Sequence, residues 1–135
     1  MFKINQIDEN RYQFSGWYDN DKKYDLEAYK EAVEDFQEKI KSNQAFGILE
    51  HKPQHEILVV SPADVSHEVI DLNVEDNGMV VGQVKFMKTV SGEMVKKIAN
   101  AHPEYLQIAP VGTCHVDENG VVDDLTLVRF DFVMG

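Results

Sequence analysis

Leu106-Gln107-Ile108-Ala109-Pro110-Val111-Gly112-Thr113-Cys114-His115-Val116, the turn Asp117-Glu118-Asn119-Gly120, and then Val121 through Val133 form the stretch that decides the fold. Two long runs rich in β-formers flank four turn residues, and Asn-Gly supplies the positive φ that a tight hairpin turn needs. In the second run the apolar set moves from Leu125 and Leu127 to Val128, Phe130 and Phe132. Such a change of phase predicts a bulge or a strong twist, the device that curves a sheet.

Upstream of this hairpin, Met94, Val95, Ile98 and Ala101 make the apolar stripe of a helix that Ser91 is placed to cap and that stops before Pro103. Before it, Met79 to Met87 puts Val80, Gly82, Val84 and Phe86 on one face, and Val65 to Leu72 pairs with it across Glu75-Asp76-Asn77-Gly78. Ile57 to Val60 and Phe46 to Leu49 read as two further short strands. Leu26, Tyr29, Val33, Phe36 and Ile40 recur at three- and four-residue steps, which predicts a helix from about Asp25 to Ser42 with Asp25 as its cap. Its two to three heptad-like repeats are too few to favour a coiled coil over packing on a sheet. Phe2 to Ile7 and Arg11 to Trp17 complete the pattern as an N-terminal hairpin. The sum is α+β: a small, mainly antiparallel β-barrel or curved sheet flanked by two helices, with residues 1–135 as a single domain.

Composition narrows the function. Lys and Arg number 13 against 24 Asp and Glu, for a net charge of -11. That field repels phosphate backbones and anionic lipid, so neither nucleic acid nor a membrane surface is an expected partner. The apolar runs are strand-length, no basic and apolar leader opens the chain, and a cytosolic or particle-bound protein is expected. The single cysteine, Cys114, excludes an internal disulfide and a cysteine-rich zinc site. No metal or other cofactor is expected.

Few residues offer chemistry. His51 ends a short strand ahead of Pro53, a position that suits either a general base or an ordinary, partly exposed loop histidine. His55 follows at helical spacing, but Pro53 breaks any helix that would put the two on one face. His67 alternates along a strand and reads as a satisfied or surface histidine, and His102 as a helix C-terminal residue favourable to the dipole. Thr113 and Cys114 are the nucleophile candidates beside a second histidine, His115. Adjacent strand residues point to opposite faces, so a Cys114–His115 dyad needs a bend, and a small buried core role for Cys114 is expected instead. Asp117, Glu118, Asp123 and Asp124 lack calcium-loop spacing and read as a solvated acidic turn.

The order of segments from Lys22 to Asp131 resembles the prohead (capsid maturation) proteases of tailed phages, especially the branch of large contractile-tailed phages. Gln44-Ala45-Phe46-Gly47-Ile48-Leu49-Glu50-His51 is similar to the segment ending in that family's catalytic histidine. Val65-Ser66-His67 with Val69-Ile70-Asp71-Leu72, Val80-Val81-Gly82-Gln83-Val84 and Thr89-Val90-Ser91-Gly92 are similar to the blocks that follow. The resemblance implies a β-barrel flanked by helices, shared with herpesvirus assemblins. It also implies phage capsid or scaffold proteins, or the active protease, as partners, and a place in the prohead or virion with host cytoplasm during assembly.

The departure from the family falls on its nucleophile. Members of this branch carry a Ser-Ser-Arg-Gly type sequence on the strand after the second helix. Here Ile108-Ala109-Pro110-Val111-Gly112 stands there, so the resemblance puts Ala109 at the nucleophile position, Pro110 at the second serine and Val111 at the arginine. An alanine methyl forms no acyl-enzyme, and His51 is then a remnant base. Thr113 and Cys114 lie four and five residues along an extended strand, roughly 13 to 17 Å away. The expectation is a non-catalytic, prohead-protease-like head protein; the alternative is an active maturation protease with an atypical nucleophile and His51 as base.

Overall fold

In the computed structural model, residues 2–16, 23–49 and 62–134 are described. The elements are β1 (Lys3–Gln6), β2 (Arg11–Gly16), β3 (Lys23–Tyr24), α1 (Leu26–Lys41), β4 (Phe46–Ile48), β5 (Val65–Val74), β6 (Val80–Phe86), α2 (Val90–Ala101), β7 (Leu106–Val116) and β8 (Val121–Met134). One sheet runs β1-β2-β6-β5-β4 and the other β3-β8-β7. Every named ladder is antiparallel except β3 with β8. The predicted strand Ile57 to Val60 lies outside the described residues.

Among the described residues the two sheets meet through single bridges, Phe2 with Ile108 and Leu49 with Phe132. One bridge at each seam is not a continuous ladder. Of the two expected forms the curved sheet is therefore the one observed, and the barrel is not closed. Curvature comes from bulges. On β8, Arg129 pairs Val111 while Leu127 pairs Gly112, which leaves Val128 as the extra residue. That is the point where the apolar set changes phase in the sequence. A second slip, His115 with Asp124 but Val116 with Val122, leaves Asp123 over.

The helices form for local reasons. Asp25 accepts the amide of Glu27 at 2.9 Å and caps α1. α1 buries Tyr29, Ala32, Val33 and Phe36 against β8 and β5, while Glu27, Glu31, Glu34, Asp35 and Glu38 face solvent. In α2 the cap is Thr89, whose Oγ1 accepts the amide of Gly92 at 2.9 Å, rather than Ser91 as the sequence suggested. Thr89 has the extended backbone a cap requires, with φ -118 and ψ 167, and Ser91 already lies inside the helix. Phe130 is the hub of the core. Its ring lies 5.3 Å from Phe14, 5.4 Å from Phe36 and 6.2 Å from Phe2, so one side chain joins both sheets to α1.

Candidate functional site

The register of β7 on β8 sets the site. Ala109 pairs with Asp131, Pro110 with Phe130 and Val111 with Arg129. Directly opposed residues share a face with Cβ atoms roughly 5 Å apart, so the Ala109 methyl, Asp131, Val111 and Arg129 face the same way. Ala109 is 5% exposed and Asp131 fully buried. Pro110 is tolerated because β7 is the edge of its sheet. Ile108 exchanges both backbone bonds with Phe2, on the side away from β8, and two residues on Pro110 turns its nitrogen to that same side.

A buried ion pair lies beneath this edge. Arg129 Nε donates to both Asp131 oxygens, at 2.9 and 3.0 Å. Asp131 Oδ1 also accepts the amide of Ile48 at 3.1 Å. The carboxylate therefore clamps the end of β4 to β8, and the Leu49–Phe132 bridge continues that seam. β4 is the strand that leads toward His51, so the root of the histidine-bearing segment is held on the face that carries Ala109. His51 and His55 themselves lie outside the described residues.

His67 closes the other side of the seam. The β4–β5 register slips by one residue, Gly47 opposite His67 and Ile48 opposite Val65, so Ser66 is bulged and two consecutive side chains turn inward. His67 Nε2 stands 2.6 Å from the carbonyl oxygen of Phe130, and Nδ1 stands 2.6 Å from Ser66 Oγ. A carbonyl only accepts, so Nε2 carries the proton and Nδ1 accepts from the Ser66 hydroxyl. Burial pushes the imidazole down to about 4, with the Phe130 carbonyl and the Asp131 charge pulling weakly the other way. Ser66 and His67 are both fully buried. A serine–histidine pair with no solvent access and both ring nitrogens engaged is a structural strut, not a nucleophile and its base.

Beside the ion pair, Arg129 and Lys39 reach a cleft of about 450 Å³ whose apolar walls include Phe46, Val65, Met87 and Val128. Lys39 Nζ donates to the Val128 carbonyl at 2.9 Å. Partial burial, and secondarily the Arg129 charge, hold its ammonium below the usual lysine range.

The other sequence candidates lie elsewhere. Thr113, Cys114, His115 and Val116 are all exposed. Cys114 is thus an exposed thiol and not the buried core residue expected, because the last four residues of β7 lie exposed on the edge strand of their sheet. His115 Nδ1 lies 2.8 Å from Asp123, which raises its pKa, so this histidine serves an acidic turn rather than Cys114. His102 closes α2 with its ring 3.2 Å from Glu104. Among the described residues no cluster of His, Cys, Asp and Glu is arranged to hold a metal ion. The Arg129–Asp131 pair escaped the sequence reading, although two opposite charges at i and i+2 in an apolar strand are its visible signal.

Two curved sheets, two helices packed on them and a hairpin closing the chain make up the fold of a phage capsid-maturation protease. Among solved structures, the capsid assembly protease of bacteriophage T4 superposes with a TM-score of 0.79 at 18% sequence identity, covering 100% of this chain and 94% of that chain. At that identity the likeness is one of fold. No protein-family model and no curated protein sequence matches the chain.

Proposed function

We propose that this chain is a phage head protein that has kept a prohead-protease body but not its chemistry, and that it binds capsid, scaffold or protease during head assembly. The observation that carries the reading is the Ala109 methyl, opposite Asp131 where the resemblance puts the nucleophile, with Pro110 and Val111 replacing the next two positions. A single Ser-to-Ala change leaves a site one substitution from activity. Three changed positions in a row, one of them proline, remove nucleophile, neighbouring hydroxyl and cation together. Thr113 and Cys114 are exposed on the edge strand, and neither pairs with Asp131 or Arg129.

The test incubates the purified chain with scaffold and capsid proteins of its own phage and follows cleavage and co-sedimentation, with Ala109→Ser in parallel. Co-sedimentation without new fragments is expected for the natural chain. Cleavage that disappears in His51→Ala, or His51-dependent labelling of Thr113 or Cys114 by a serine- or thiol-directed probe, would establish an active protease instead.

A further inference from the structure

The outward face of α2 combines exposed apolar side chains with lysines. Val90 is 89% exposed and Met94 47% exposed, and together with Lys88 and Lys97 they line a shallow depression. Residues 88–97 hold three lysines, Lys88, Lys96 and Lys97, against one acid, Glu93, a local charge of +2 on a chain of net charge -11. Among the described residues none of these lysines enters an ion pair. Apolar side chains flanked by Lys88 and Lys97, with Glu93 the one acid among them, fit a partner with the reverse pattern, an apolar anchor among carboxylates.

This chain presents that pattern at the far end of the β7–β8 hairpin. Residues 113–126 carry Asp117, Glu118, Asp123 and Asp124 with no Lys or Arg. At their centre Val116 is 46% exposed. Thr113 to Val116 are all exposed, and β7 is the edge of its sheet, so although β3 and the buried Val122 hold β8 at this end, β7 offers an open edge here. The two surfaces do not meet within one molecule, since Val90, Met94 and Val116 are open together. We infer that the hairpin end of one copy docks on the α2 face of the next. The patches differ, so the contact is heterologous and runs head to tail, toward rings or short filaments instead of a two-fold dimer.

A ribbon end on one helix face buries little area, so association at roughly 0.1 mM is the expected strength, weakened about tenfold between low and high salt. Sedimentation of the purified chain under reducing conditions, across a concentration series, tests this. Met94→Asp is at an exposed position and is expected to leave a folded monomer, with circular dichroism as the check on folding. Two charge reversals sharpen the test: Lys88→Glu with Lys97→Glu on the helix, and Glu118→Lys with Asp124→Lys on the hairpin. Each variant alone is expected to be monomeric, and an equal mixture is expected to associate again, because each supplies what the other lost. A natural chain that stays monomeric to about 1 mM at low salt overturns the inference. So does association that survives Met94→Asp, or a mixture that stays monomeric.

Discussion

His67 Nε2 lies 2.6 Å from the carbonyl oxygen of Phe130, and through that bond an imidazole of the five-stranded sheet is fastened to the central strand of the three-stranded one. The ring stacks edge-on against Phe132 at 4.5 Å and takes the Ser66 hydroxyl on its other nitrogen. Both nitrogens of the buried ring are engaged, so it needs no charge.

Acid sensitivity follows from the sign of that arrangement. The folded imidazole binds its proton only near about 4, against 6.5 when unperturbed. Between those values the unfolded chain holds more protons, so this contribution is intact above pH 6.5 and is lost as pH falls toward 4. Fully expressed it is worth about 3 kcal/mol. Urea titrations at several pH values, on the natural chain and on His67→Gln, measure it. Gln keeps a donor for Phe130 without a titrating ring, so its stability is expected to fall less steeply over this window. Equal slopes would show that carboxylates elsewhere account for the acid sensitivity.

The Arg129–Asp131 pair is expected to respond asymmetrically. Either change alone, Asp131→Asn or Arg129→Met, strands a buried group and is expected to cost about 3–5 kcal/mol. Replacing both with apolar residues of similar size, Arg129→Met with Asp131→Leu, is expected to cost less than the sum of Arg129→Met and Asp131→Leu made singly. The remaining loss is set by the Ile48 amide, which gives up its acceptor on Asp131. Additive losses in chemical denaturation would argue that the two side chains do not depend on each other.

Much of this fold was legible because its strands and α1 carry their periodicity openly, whereas in α2 the expected stripe residues Met94 and Ala101 are exposed and Gly92 and Ala99 are buried beside Val95. The residues α1 buries, Tyr29, Val33 and Phe36, are members of the repeat that predicted it, and the bulge at Val128 falls where the apolar phase changes. The misjudged features depend on what lies across space. Cys114 alternates like a core residue, but it lies on the exposed end of an edge strand. Ser66 and His67 are neighbours that alternation would send to opposite faces, and only the slip against β4 turns both inward. Of the site, the resemblance located Ala109. The carboxylate opposite it is contributed from 22 positions further along the chain, a pairing set by hairpin register and hidden from local pattern.

The two candidate caps of α2 separate cleanly. Thr89→Ala removes the acceptor for the Gly92 amide and the donor to the Val65 carbonyl, and is expected to cost about 1–2 kcal/mol. Ser91→Ala, inside the first turn, is expected to stay within about 0.5 kcal/mol of the natural chain. Thermal melts of the two variants decide it, and a larger loss at Ser91 would move the start of the helix.

Gly47 is the position where the seam tolerates least. A Cβ there would run into the Phe130 carbonyl oxygen and the Nε2 and Cε1 atoms of His67. The oxygen belongs to the backbone of a central strand, and the imidazole is held at both nitrogens, so neither can retreat cheaply. Gly47→Ala is therefore expected to push β4 off β8, straining the His67–Phe130 bond and the Ile48–Asp131 bond together, at a cost of about 3 kcal/mol. Removing the ring should relieve part of this. In a His67→Ala background the Phe130 carbonyl remains as an obstacle, but the added methyl can lean into the space the imidazole left, so the same change is expected to cost less there. A double-mutant cycle by urea denaturation measures that difference, and a cost at Gly47 unchanged by the loss of His67 would mean the strand backbone alone sets the limit.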